Sequence, residues 1–331
     1  MSIAPAAQLP PEDRGRQGTP PGPRRRVWSE EVPYDVLATD RALGPLRRWG
    51  VELSVAVRPW HLPGLPALLR SARDAGVVVS LWPMLGDEDG RWANARNVAP
   101  YTALARRIVE ALAAAGLPPA ALHIDLEPPI AELRALLGAG RSSWLAAARS
   151  LAARSRAPGQ GYAALAGELA ARGVPTSAVV VPFVLGGGVW ERLLGTPVDG
   201  AAWERVDVML YTSIIEGWSR GWLTRADARA FLALCCRAAL RRYGARAAVS
   251  LGAVGTGALG DEPIYRSIDE LVDDVAIARA EGIEDLTLFD YGGVLARGDD
   301  WLRALVETPA RQQPLVPTPR ARAALWVMGG R

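Results

Sequence analysis

Apolar and polar positions change period repeatedly along this chain. Short runs rich in Val, Leu, Ile and Ala alternate with Ala/Leu/Arg stretches whose apolar residues recur three and four positions apart. The first pattern is that of a strand and the second that of an amphipathic helix. Strands are expected at 26–29, 51–57, 77–82, 121–127, 178–183, 206–211, 247–251 and 285–291. Helices are expected over 40–48, 64–75, 97–115, 130–157 in pieces, 161–172, 224–242 and 268–281, with a last one starting near Asp299. Gly76, Gly116 and Gly282 stand where helix gives way to strand, and Ser267 with Glu270 has capping-box spacing.

Eight strand–helix units predict an α/β fold, a (β/α)8 TIM barrel forming a single domain over 26–308. A doubly wound sheet is the structural rival. The connection from Pro128 to about Ser177 is longer than one helix requires and predicts a helical insertion after strand four. Residues 1–25 are rich in Pro, Gly, Arg and Gln and read as a disordered N-terminal tail. Residues 309–331 form a C-terminal tail, Pro/Arg-rich and then apolar, which either docks on the barrel or stays mobile.

Composition narrows the chemistry. Half of the 331 residues are apolar, enough for a large core. The net charge of +3 owes much to Arg14, Arg16, Arg24, Arg25 and Arg26, so the folded part carries no nucleic-acid footprint. The chain has no lysine. That excludes Schiff-base chemistry on lysine, pyridoxal phosphate anchoring and the lysine-containing phosphate loop. Cys235 and Cys236 are adjacent within a helical pattern, without metal or redox spacing. No apolar run resembles a signal peptide or a membrane span, so a soluble cytoplasmic protein is expected if Met1 is the true start.

The chemistry concentrates at Ala121-Leu122-His123-Ile124-Asp125-Leu126-Glu127-Pro128-Pro129. With period two, His123, Asp125 and Glu127 share one face and Leu122, Ile124 and Leu126 the other. The two prolines stop the ladder directly after Glu127. Buried carboxylates are costly unless paired or used. In a barrel the site lies where the strands end. The other strand ends offer Arg58, Trp60 and His61; Trp82, with Trp92, Asn94 and Asn97 in the loop beyond; Tyr211, followed by Trp218 and Trp222; and Asp290 with Tyr291. Aromatic rings around carboxylates suit a sugar, whose C–H face stacks on a ring while its hydroxyls meet polar groups. Trp60, Trp82, Trp92, Trp218, Trp222, Arg58 and His61 are therefore the expected substrate-binding residues. Glu127 is the expected general acid, with Asp125 raising its proton affinity by like-charge repulsion. Asp290 is a reserve carboxylate.

Ile124-Asp125-Leu126-Glu127 on strand four resembles the Asp-x-Glu end of the family 18 chitinase-like glycosidases. Val208-Met209-Leu210-Tyr211 on strand six is similar to that family's Met-x-Tyr segment. The resemblance implies a (β/α)8 glycoside hydrolase in which Glu127 is the acid, Asp125 orients an acetamido group that itself attacks the anomeric carbon, and Tyr211 contacts the acetamido carbonyl. The chain departs from the family at Ala120 and His123, where aspartates would stand, and at Thr212. It departs again at Phe289-Asp290-Tyr291, where a tryptophan is usual. A second barrel group pairs a strand-four Asn-Glu-Pro with a strand-seven glutamate, but Ser250-Leu251-Gly252 supplies no carboxylate. The expected function is cleavage of a glycosidic bond in a carbohydrate or glycoconjugate, without cofactor or metal. Two alternatives stay open. One is a non-catalytic glycan-binding barrel. The other is a metal-dependent sugar isomerase or hydrolase using Glu127, Asp125, His123 and His61, although the chain has only two histidines and no His-x-His pair.

Overall fold

A computed structural model describes residues 23–132, 134 and 160–328. Eight parallel strands close into a barrel in sequence order: β1 (Arg25–Ser29), β2 (Glu52–Val57), β3 (Val79–Pro83), β4 (Leu122–Leu126), β5 (Thr176–Val180), β6 (Arg205–Met209), β7 (Ala247–Gly252) and β8 (Leu286–Phe289). β8 returns to β1 through Arg26↔Thr287 and Val27↔Leu288. Closure excludes the doubly wound alternative and establishes the TIM barrel. The helices expected over 130–157 lie almost wholly outside the described residues.

The period-two pattern sorts the strand residues into two cores. Val27, Leu53, Val55, Leu81, Leu122, Ile124, Val206, Val208, Leu286 and Leu288 face outward into the layer beneath the helices. Trp28, Ala56, Trp82, Val179 and Phe289 form a second cluster inside the barrel, with Met84 and Trp92. Barrel interiors are usually filled by branched aliphatic side chains. This one instead carries buried Ser54, Ser80, His123, Asp125, Ser177, Asp207, Ser250 and Thr287. Ser250, Asp207 and Thr287 are held by cross-barrel hydrogen bonds, whereas the Ser54 and Ser80 hydroxyls are buried without a partner. The Trp28 indole N–H donates to Ser250 Oγ at 3.0 Å, and Thr287 Oγ1 donates to Asp207 at 2.9 Å. At the N-terminal end Arg26 donates to Asp285 at 2.6 Å, and Arg205 pairs with the same carboxylate.

Four strands end earlier than their apolar patterns predict, β4 by a single residue at Leu126. β5 stops at Val180, and Pro182–Gly186 turns as a 3-10 segment, because proline at Pro182 cannot donate to a ladder. β6 stops at Met209, and β8 stops at Phe289. Tyr291 already begins a helix (Tyr291–Arg297). Gly76, Gly116 and Gly282 adopt the left-handed conformation at helix ends as expected. The expected Ser267 box does not form: Glu270 accepts instead from the Arg266 backbone at 2.9 Å. A capping box does form at Thr224 and Asp227, which starts the helix Arg225–Tyr243. Cys235 and Cys236 are buried, free thiols in that helix.

The C-terminal segment docks. Its helix Pro319–Val327 packs on Arg225–Tyr243 through buried Ala321 and Leu325, with Met328 buried beyond its end. Among the described residues no helix is long and apolar enough to cross a membrane.

Candidate active site

Asp125 sits inside the C-terminal half of the barrel, and Glu127 lies just past the end of β4, where the Pro128-Pro129 pair ends the strand. β3 and β4 are joined by a single register pair, Leu81↔Leu122, so their upper ends splay. The gap is filled by the segment after β3. Ala93 N–H donates to the Asp125 carbonyl at 2.8 Å, and Glu127 N–H donates to the Ala93 carbonyl at 3.1 Å. This short extra ladder fixes the backbone between the two carboxylates and places Trp92 beside them.

The segment is held in turn by an amide clamp. Asn97 Nδ2 donates to the carbonyls of Trp92 (2.7 Å) and Asp89 (2.9 Å), while its Oδ1 accepts from Asn94 N–H (2.9 Å) and the Tyr162 hydroxyl (3.1 Å). Asn94 and Asn97 are thus scaffold for the loop and do not line the cavity. Asn97→Ala strands several buried donors and acceptors. It is expected to lower stability by about 2–3 kcal/mol, read from the urea midpoint.

A cavity of about 630 Å³ opens above Asp125 and Glu127. Of the expected residues, Asp125, Glu127, Tyr211, Trp82, Trp92, Trp218 and Trp222 line it. Trp60, Arg58, His61 and Asp290 do not. Trp60 is 57% exposed and packs edge-on against His61. His61 also packs on Tyr34, and Arg58 pairs with Glu31 at 2.8 Å and reaches Glu30 at 3.8 Å, so this group flanks the cavity beyond β2 without lining it. Asp290 is a helix cap: its carboxylate accepts from Gly293 N–H at 2.9 Å and Gly292 N–H at 3.3 Å. The period-two alternation of β8 sends Phe289 into the cavity, and its ring stacks on Tyr211 at 5.4 Å. The glycine cluster after β7 relieves crowding here, since a Cβ on Gly257 would meet the Phe289 ring at 2.6 Å.

The lining residues that escaped sequence reasoning include the polar or aromatic Trp28, Glu30 and Glu262 and the apolar Val181, Ile214, Ile215 and Leu223. The signal for the first two is the alternation Arg26, Trp28, Glu30 along β1 and its end. Glu262 lies ten positions past the end of β7 and has no local signal. Its Oε1 accepts from Leu259 N–H at 2.8 Å, and its Oε2 is buried without a partner.

Electrostatics sets these carboxylates apart from ordinary ones. Glu127 keeps an edge open to the cavity yet is enclosed by the barrel mouth. Burial, reinforced by the charge of Glu30 and opposed by Arg91, pushes its pKa up to about 8. Burial raises Asp125 well above the usual range, and the charges of Glu127 and Glu30 add to the effect. Once Glu127 ionises, its charge makes ionisation of Asp125 harder still. The Trp82 indole N–H faces the Asp125 carboxyl and lowers its proton affinity, although the contact falls short of good hydrogen-bond geometry. Glu30 is pushed up to about 7 by burial, against the pull of Arg91, which donates to it at 2.7 Å. Arg91 also donates to Asp87 at 2.7 Å.

His123 is driven well below its ordinary pKa by burial and by Arg26, Arg24 and Arg205, and it packs edge-on against Trp28 at 5.0 Å. It is therefore a neutral packing residue of the barrel interior. Thr212 faces away from the carboxylates, bonding Asp274 and accepting from Arg225 at 2.6 Å. Among the described residues no group of three or more His, Cys, Asp or Glu side chains is arranged to hold a metal ion.

The site is thus an acidic pair beneath an aromatic-walled mouth at the C-terminal end of a closed eight-stranded barrel, and solved barrel structures resemble it. The glycoside hydrolase domain of PgaB (BpsB) from Bordetella bronchiseptica matches with a TM-score of 0.51 at 13% identity, covering 88% of this chain and 99% of that one. A GH5_18 protein from Streptomyces cattleya, solved in complex with Manb1-4GlcNAc, matches with a TM-score of 0.51 at 14% identity, over 93% and 89% of the two chains. A GH18 chitinase from Cycas revoluta in complex with (GlcNAc)3 matches with a TM-score of 0.43 at 13% identity, over 86% and 99%. Sugar 3-epimerase barrels match as well, at TM-scores of 0.45 and below. At these identities the likeness establishes the barrel fold. No family model and no curated protein matches the sequence.

Proposed function

We propose that this protein is a carboxylate-dependent glycoside hydrolase. The observation that carries the reading is the Asp125 and Glu127 carboxyls at the base of a cavity lined by Trp28, Trp82, Trp92, Trp218 and Trp222. A glycosidase needs a carboxylic acid still protonated at neutral pH to deliver a proton to the leaving oxygen. Glu127, with its pKa near 8, meets that requirement. Its exposed edge is the one that faces the cavity. Asp125, raised well above the usual carboxylate range by burial and by the charges of Glu127 and Glu30, is itself held protonated and presents its side chain to a substrate polar group. The Tyr211 phenol is raised well above its usual range by burial and the nearby carboxylates, so it stays protonated and donates to a substrate oxygen. The indole rings supply stacking faces for a pyranose.

The reading is tested with a panel of aryl glycosides, including N-acetylglucosaminides, incubated with wild type and Glu127→Gln in the presence and absence of EDTA. Chelator-insensitive release by wild type alone is the expected result. Release that EDTA abolishes would transfer the assignment to metal chemistry, and equal release by both proteins would remove Glu127 from it. The pH profile is a second check. The acid works only while protonated, so kcat/KM is expected to fall about tenfold per pH unit above the Glu127 pKa of about 8. A profile flat to pH 10 contradicts the assignment.

A further inference from the structure

The cavity has two unlike parts. Its floor holds the carboxyls of Asp125, Glu127 and Glu30 together with the Trp82 indole, which faces Asp125. A second wall is built from the ends of β5 and β6 and from the helix Thr212–Trp218 with the turn that follows. It presents Val181, Phe183, Ile214, Ile215 and Leu223, with Trp222 half exposed beside them. Away from the floor, the polar lining side chains among the described residues, indoles aside, are Tyr211, Ser219 and Glu262. Ser219 is already committed: its Oγ donates to the Glu216 carbonyl at 2.7 Å and accepts from Leu223 N–H at 3.0 Å.

A run of sugar rings brings several hydroxyls per ring, and each one stripped of water without a new partner is costly. The floor can meet the hydroxyls of one ring. Among the described residues, the wall offers the next ring indole faces but few side-chain partners for its hydroxyls. Apolar surface is what the wall rewards, and a volume of about 630 Å³ exceeds what a single pyranose fills while staying within the size of pockets that enclose one small ligand.

We infer that the substrate joins one sugar, held at the carboxylate floor, to an apolar aglycone seated on the wall formed by Val181, Phe183, Ile214, Ile215 and Leu223. The inference rests on the proposed glycosidase reading for the position of the sugar, but the wall's preference is a binding property that survives without turnover. The protein accordingly acts on a glycoconjugate with a hydrophobic leaving group and not within a polysaccharide chain.

The test measures binding to full-length Glu127→Gln, by tryptophan fluorescence and calorimetry. The probes are methyl, butyl, hexyl and octyl β-glucosides and N-acetyl-β-glucosaminides below their micellar concentrations, the corresponding naphthyl glycosides, cellotriose and chitotriose. Each buried methylene is expected to tighten binding about fourfold, which corresponds to about 0.8 kcal/mol. Octyl glycosides should therefore bind at least a hundredfold tighter than methyl glycosides, and the trisaccharides no tighter than methyl glycosides. A naphthyl glycoside that outbinds the octyl one identifies an aryl group as the aglycone; the reverse identifies an alkyl chain.

No dependence on chain length, or trisaccharides binding tighter than octyl glycosides, overturns the inference. Ile215→Asn, and the milder Val181→Thr, should each shrink the octyl-to-methyl affinity ratio, Ile215→Asn by at least tenfold. An unchanged ratio in both, with folding verified by circular dichroism, also overturns it. Wild-type turnover is scored separately. Chain-length dependence without hydrolysis of any glycoside rejects the glycosidase reading and leaves a ligand of one sugar and an apolar tail seated on the wall, whereas hydrolysis without chain-length dependence does the opposite.

Discussion

Glu127→Gln is expected to lower kcat/KM by about 10³-fold and, at the same time, to make the protein more stable at alkaline pH. The kinetic loss follows from removing the proton donor, since a positioned general acid contributes about 10²–10⁴ in rate. Glutamine keeps the shape and a hydrogen-bonding amide, so ligand binding should survive. The gain in stability has a separate origin. Glu127 is raised from 4.5 to about 8 in the folded barrel, so between those values the folded state holds more protons than the unfolded one. Its contribution is then most favourable below about pH 4.5 and is lost as the pH rises toward 8. A glutamine has no proton to lose. The variant should gain about 1–2 kcal/mol at pH 8–9, or about 2–4 °C in Tm, and nothing at pH 4. Thermal melts of the two proteins at both pH values check this. A variant melting below wild type at pH 9 would show that Glu127 is stabilised in its charged form and is unsuited to be the acid.

Arg91→Met is expected to cost about 3 kcal/mol at pH 8 and distinctly less at pH 5. Arg91 is buried and joins Glu30 to Asp87, each at 2.7 Å. Removing one partner of a buried ion pair leaves the other charge without compensation, which typically costs about 3–5 kcal/mol. The cost is moderated here because Glu30, already raised to about 7, can escape by binding a proton. Without Arg91 its pKa rises further, so the loss of stability grows as the pH climbs past 7 and shrinks where Glu30 is protonated. Glu30→Gln in the Arg91→Met background should restore much of the loss at pH 8. Urea titrations of both variants at pH 5 and pH 8 measure it. A pH-independent loss would place the effect in packing against Trp92, whose ring lies 5.9 Å from the guanidinium, and not in the ion pair.

The segments that were legible in the sequence share a property: their side chains and their roles belong to one strand. Asp125 and Glu127 stand two apart just before a proline pair, and alternation alone places both toward the barrel axis. Trp82, Trp92, Trp218 and Trp222 follow strand ends and therefore reach the same mouth. Trp60, Arg58 and His61 follow a strand end too, but the 3-10 turn Pro59–His61 carries them outward, to Glu31 and Tyr34. Asp290 illustrates a shift of one position. When β8 ends at Phe289, the next carboxylate meets the N-terminus of a helix instead of the cavity.

The eight apolar runs, their alternation and the glycines at helix ends were sufficient by themselves for the (β/α)8 order, since both periodicities are local consequences of backbone geometry. They were sufficient too for the acidic pair on β4. Whether that pair has a cavity above it, and which residues share it, was decided by tertiary structure alone. Glu30 and Arg91 are sixty-one residues apart and meet only because β1 and the loop after β3 rise side by side at the barrel mouth. Glu262 arrives from the loop after β7. The raised proton affinities are decided at the same level, because burial is their largest cause and no residue is buried by its immediate neighbours alone.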